Sequence, residues 1–144
     1  VKTELYEDHG LRFEYPPDWT IEASDEDDVT TLDLQHPDGV AFVLVRIDES
    51  RPAPEYVADR ALEAMREEYP DLDAAPVMES VGAHIVTGHD AEFYSLDVPN
   101  RATIRSFRTP RRTLLVFGQW SELGEDSVPD VVRGLLHSLD EFDD

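Results

Sequence analysis

One strand constrains the fold of this chain more than any other segment. Between the turn residues His36-Pro37-Asp38-Gly39 and Pro52, the run Val40 to Ile47 is apolar on both sides, with Val40, Phe42 and Leu44 facing one way and Ala41, Val43 and Val45 the other. A strand with one solvated face alternates apolar and polar residues, so this run belongs in the middle of a sheet covered on both faces. The preceding stretch, Thr30 to Gln35, turns Leu32 and Leu34 inward, and the Pro-Asp-Gly turn joins the two strands as a hairpin.

The other elements are arranged around that hairpin. Leu11, Phe13 and Tyr15 alternate with Arg12 and Glu14 as a half-buried strand, and Pro16-Pro17-Asp18 turns the chain before Trp19-Thr20-Ile21. The acidic stretch Asp25 to Asp28 is predicted to be a solvated loop. Pro54 suits the first turn of a helix in which Val57, Ala58, Ala61, Leu62 and Met65 share a face, ending near Tyr69-Pro70. Three strands follow: His84 to Leu96 with a bend at Gly88, Arg101 to Arg108, and Thr113 to Trp120, the last two joined through Thr109-Pro110-Arg111-Arg112. Ser127 and Asp130 resemble a capping box around Pro129, opening a helix whose Val128, Val131, Val132, Leu135, Leu136 and Leu139 form an apolar stripe against the sheet. The expected architecture is α+β, an antiparallel sheet of about six to seven strands flanked by helices in an α/β/α sandwich. A chain of 144 residues without cysteine is about one domain, large enough to bury a core without a disulfide.

Charge speaks to surroundings and partners. The chain carries 33 acidic side chains against 12 basic ones, a net charge of −21, and Lys2 is its only lysine. Self-repulsion of that size works against a compact state in dilute buffer, and concentrated salt relieves it by shortening the screening length to roughly 3 Å at about 1 M. A protein of salty surroundings is the expectation. Nucleic-acid backbones and anionic membrane surfaces are disfavoured partners, because both need a basic footprint. The longest apolar runs are far too short to span a bilayer. The expected location is the cytoplasm; because the sequence starts at Val1 rather than Met, an exported or lipid-anchored form with a removed leader stays open.

Motifs of catalysis are missing. No Gly-x-Ser-x-Gly elbow, phosphate-binding glycine loop, HxH or HExxH occurs, so neither enzyme activity, a cofactor nor a metal is expected. His84 and His89 are five apart on one predicted strand and therefore face opposite ways unless Gly88 makes a bulge; His89, Asp90 and Glu92 are the one local cluster of metal-ligand types. Asp25 to Asp28 lacks the spacing and glycine of a calcium loop.

One segment departs from the acidic pattern. Val98 to Ser121 contains no acid, and Arg101, Arg105, Arg108, Arg111 and Arg112 give it a charge of +5, leaving −26 for the rest. Paired as a hairpin, the two strands would gather these arginines. They either neutralise acids on neighbouring strands in bidentate pairs or form a docking patch for an acidic protein or small anion, with Trp120 and Phe117 as aromatic anchors.

The segment Gly10-Leu11-Arg12-Phe13-Glu14-Tyr15-Pro16-Pro17-Asp18-Trp19 resembles the Gly-hydrophobic-x-aromatic-x-Tyr-Pro-x-x-Trp opening of the PsbP-like superfamily. The similarity extends through element order along most of the chain, to the closing helix with Ser138-Leu139. That superfamily includes the photosystem II extrinsic P subunit, the yeast Ran-binding Mog protein and many bacterial and archaeal proteins, some of them lipoproteins. The resemblance implies a binding or assembly module more often than an enzyme. Members use different surfaces, so it carries over no site residue. Two functions are expected on these grounds: a non-catalytic interaction module whose acidic partner docks at the arginine hairpin or a sheet face, or a small-ligand-binding or hydrolytic domain with a pocket between sheet and helix. Oligomeric state is left open.

Overall fold

The computed structural model describes residues 2–124 and 126–142. Strands β3 (Thr20–Glu26), β4 (Val29–Gln35), β5 (Phe42–Asp48), β6 (Asp73–Val81), β7 (His84–Ser95), β8 (Val98–Arg108) and β9 (Thr113–Ser121) form one antiparallel sheet in the order β3-β4-β5-β9-β8-β7-β6. A second sheet joins β1 (Glu4–Asp8), β2 (Leu11–Tyr15) and β10 (Asp140–Glu141) in the order β1-β2-β10. Helix α1 (Pro54–Glu68) and helix α2 (Val128–Ser138) complete an α+β fold.

β5 lies between β4 and β9, the interior position that its two-sided apolarity demands. The turn before it is held by Asp38, whose carboxylate accepts the N–H groups of Val40 at 2.8 Å and Ala41 at 3.0 Å. Those backbone donors, the Val40 amide foremost, together with His36 hold the Asp38 carboxyl below the usual carboxylate value despite some desolvation. Gly39 adopts φ +76°, which an L side chain would strain.

The two faces of the main sheet are covered at opposite ends. On one face α1 packs over β7, β8 and β9, where Ala58 and Met65 meet Ala91, Phe93, Ala102 and Ile104; three of these six are alanines, which lets the helix approach closely. On the other face α2 and the small sheet cover β4, β5 and β9, joining Leu11, Phe13 and Trp19 to Leu34, Val45, Val116 and Leu135. Gly118 makes room for α2, since a Cβ there would lie 2.6 Å from Val128 Cγ1.

Several local expectations need correction. β1 and β6 are strands that residue pattern alone does not show. β6 contains Pro76, tolerated because β6 is an edge strand and can spare a ladder hydrogen bond. The acidic stretch is not all loop: β3 pairs with β4 out to Glu26–Val29, and only Asp27 and Asp28 turn the chain. Side chains of an exposed edge strand stand in water, so acids there cost the pairing little. Gly88 makes no bulge, because β7 stays in register with β8 through Gly88–Arg105; a Cβ at that position would lie 1.7 Å from the Ile104 carbonyl oxygen. Ser127 makes no side-chain cap bond: its backbone is already helical, at φ −80° and ψ −7°, whereas a capping side chain reaches back from an extended residue. β2 lies in the small sheet rather than the large one. Its entry glycine, Gly10, has φ +77° and packs against the Arg112 guanidinium so closely that a Cβ would lie 2.3 Å from Nη2.

Candidate functional site

Strands β8 and β9 do pair as a hairpin, but the arginines of β8 and of the turn after it are engaged separately. Arg105 is buried and bridges two carboxylates, Glu79 at 3.0 Å from Nε and Asp90 at 3.0 Å from Nη1, while Nη1 also donates to the Ile104 carbonyl at 2.9 Å. Burial raises the Glu79 carboxyl's pKa, but hydrogen bonds from Arg105 and Arg133 outweigh it, so the net shift is downward. Arg112 is likewise buried, 3.0 Å from Glu141 on β10 and 3.7 Å from Glu49. Glu141 also accepts from Thr109 Oγ1 and the Arg111 amide, tying the carboxyl-terminal strand to the β8–β9 turn. The Arg108 guanidinium donates to the Arg51 carbonyl at 2.6 Å. Arg101 is exposed and held between Glu122 at 2.5 Å and Glu92 at 2.8 Å, which stabilise its charged form further.

The two aromatic candidates part company. Trp120 sits opposite Arg101 on the α2 face, whereas Phe117 lies on the α1 face and stacks on Phe42 with ring centroids 5.9 Å apart. They are three residues apart on one strand, and the pleat sends them to opposite sides. The histidines separate in the same way: His89 meets Asp59 of α1 at 2.9 Å, and His84 packs on Phe107 on the opposite face. Asp90 pairs with Arg105 and Glu92 with Arg101, so neither converges with His89. Among the described residues no group of three or more histidine or carboxylate side chains is placed to hold a metal, and no helix is long and apolar enough to cross a membrane.

The half-covered faces leave two grooves. Beside α2, a groove of about 540 Å³ sets the charged side chains Arg101, Arg105, Arg133, Glu79 and Asp90 beside an apolar part that includes Trp120, Val132 and Leu136. Beside α1, a groove of about 860 Å³ opens over β4, β5 and β9. Its floor is Phe42, Leu44, Leu115 and Phe117, all half-buried, and its wall is the Val57, Ala61, Ala64 and Met65 side of α1. Arg46, Asp48, Arg60 and Glu68 stand on its rim. Sequence reasoning allowed for a pocket between sheet and helix but named none of the residues that line this groove. Its signal was present in β5, where one side carries the short core residues Val43, Val45 and Ile47 and the other reads Phe42, Leu44, Arg46.

No family model matches the chain, and no curated protein does. Solved structures share the fold. A crystal structure from Bacteroides thetaiotaomicron VPI-5482 aligns over 93% of this chain with a TM-score of 0.62 at 10% identity, and the chain spans 46% of that protein. LpqN of Mycobacterium tuberculosis, involved in cell envelope biogenesis, aligns over 96% of this chain and 89% of its own with a TM-score of 0.60 at 8% identity. At these identities the likeness is one of fold.

Proposed function

We propose that this chain is a non-catalytic binding domain whose recognition site is the groove between α1 and the open face of β4, β5 and β9. The observation that carries the reading is the floor of Phe42, Leu44, Leu115 and Phe117, which lies half-exposed in a recess of about 860 Å³. Ligand sites are recesses of about 300–1,000 Å³ lined mainly by apolar and aromatic side chains with a few polar groups for orientation. The lining contains no histidine, and its serine, Ser50, donates to Asp48 at 2.6 Å within the turn after β5. That composition suits holding a ligand rather than transforming it. The resemblance to PsbP-like binding and assembly modules points the same way.

A titration with the neutral, environment-sensitive dye Nile red tests the reading. Bound dye should fluoresce in the wild type and not in Ala64→Trp, where an indole on the exposed side of α1 fills the groove. Unchanged dye affinity in Ala64→Trp would reject the site. A second reading, an acidic protein partner at the arginine hairpin, rests chiefly on Arg101, which is exposed beside Trp120 on the rim of the α2 groove. It predicts that Arg101→Glu abolishes recovery of such a partner while the fold persists.

A further inference from the structure

Among the described residues Arg46 is the one arginine with neither an ion pair nor a hydrogen bond. Arg12 and Arg60 pair with glutamates, Arg51, Arg66 and Arg108 donate to carbonyls, and Arg101, Arg105, Arg112 and Arg133 join carboxylates. Arg111 is engaged as well. Although the chain has 33 acids and Asp48 and Glu68 line the same groove, Arg46 forms an ion pair with none of the described ones. Arg46 stands on the rim of the α1 groove, on the same side of β5 as Phe42 and Leu44.

We propose that the α1 groove takes a single-chain amphiphile with a monoanionic carboxylate head, Arg46 receiving the head and the Phe42–Leu44–Leu115–Phe117 floor receiving the tail. This rests on the groove being the binding site and adds the class of ligand. A planar guanidinium presents a fork of N–H donors that matches one carboxylate. Asp48 and Glu68 share the rim, so the site disfavours a dianion such as a phosphate monoester more than a carboxylate. Length agrees too: Arg46 and Phe42 lie four residues apart along one strand, about 13 Å, the reach of an extended chain of about ten carbons.

Displacement of Nile red by decanoate and by its neutral counterpart decanol distinguishes the possibilities. The assay is run in about 0.5 M potassium chloride, where long-range repulsion from the acidic surface is screened. Decanoate should compete about tenfold better than decanol, the difference expected for one charge-assisted contact. Arg46→Gln should abolish that preference while leaving decanol unchanged, and Arg12→Gln, which makes the same change of net charge elsewhere, should keep it. Equal competition by the two, or a preference that survives Arg46→Gln, overturns the carboxylate assignment and leaves the groove reading intact. Failure of both to displace dye that Ala64→Trp excludes overturns the amphiphile. Dye binding that Ala64→Trp does not affect overturns the groove itself, and the ligand class with it.

Discussion

The two faces of the central sheet are built from the same strands and serve opposite ends. On the α2 face, Arg101 and Arg105 are held by Glu122, Glu92, Glu79 and Asp90, so the cations that stand out in the sequence are already neutralised. On the α1 face a floor of large apolar side chains is left half-open, and its rim carries an arginine that pairs with no acid among the described residues. A cluster of like charges is therefore a poor guide to a binding surface in a chain this acidic. The informative cation is the isolated one.

The largest test of that difference compares one substitution on the two faces. Arg105→Ala removes a buried guanidinium from Glu79, which keeps Arg133, and from the half-exposed Asp90, at a cost of about 2–3 kcal/mol. Arg46→Ala should stay within about 0.5 kcal/mol of wild type, as expected for an exposed residue without partners. Urea unfolding at constant salt measures both, and similar costs would erase the contrast. Next in size is salt. The melting temperature should rise by several degrees as potassium chloride approaches about 2 M, since screening relieves the repulsion among acids that the arginines leave unbalanced. A flat or falling curve would remove salt adaptation from the account.

Glu79→Gln should cost about 1–2 kcal/mol at neutral pH, because the carboxylate that Arg105 and Arg133 share loses its charge. Its pKa is lowered in the folded state, so its contribution is fully present above the ordinary value of 4.5 and is lost as pH falls through the folded value. Wild type and Glu79→Gln should therefore differ by a constant amount down to that ordinary value and converge at lower pH. A difference independent of pH would show that the ion pair adds nothing. The smallest effect concerns neither groove. Leu96 and Asp97, at φ +52° and +62°, form a two-residue β7–β8 turn of the kind that favours Asn-Gly, and Leu96 is 95% exposed. Leu96→Asn with Asp97→Gly should add about 1 kcal/mol of stability and leave dye binding unchanged.

The parts of this molecule legible from sequence are those where local pattern and burial coincide. β5 declared its interior position because both of its sides are apolar, and α1 and α2 showed their stripes and first-turn prolines. β6 did not, since Pro76 and two alanines interrupt a strand that needs pairing on one side only. The fate of the arginines was left open between internal pairing and docking, because their partners are distant in the chain: Glu79 is 26 residues from Arg105 and Glu141 is 29 from Arg112. Only tertiary structure brings those charges together. The α1 groove is a property of what does not cover β4 and β5: β5 carries its large residues on one side, but only tertiary structure shows that α1 leaves that side open.

Methyl NMR of the wild-type protein during titration with decanoate tests the central claim most directly. The groove account predicts shifts confined to Leu44, Val57, Ala61, Ala64 and Leu115 on the α1 face. Shifts centred instead on Val132 and Leu136, beside Trp120 in the α2 groove, would contradict it.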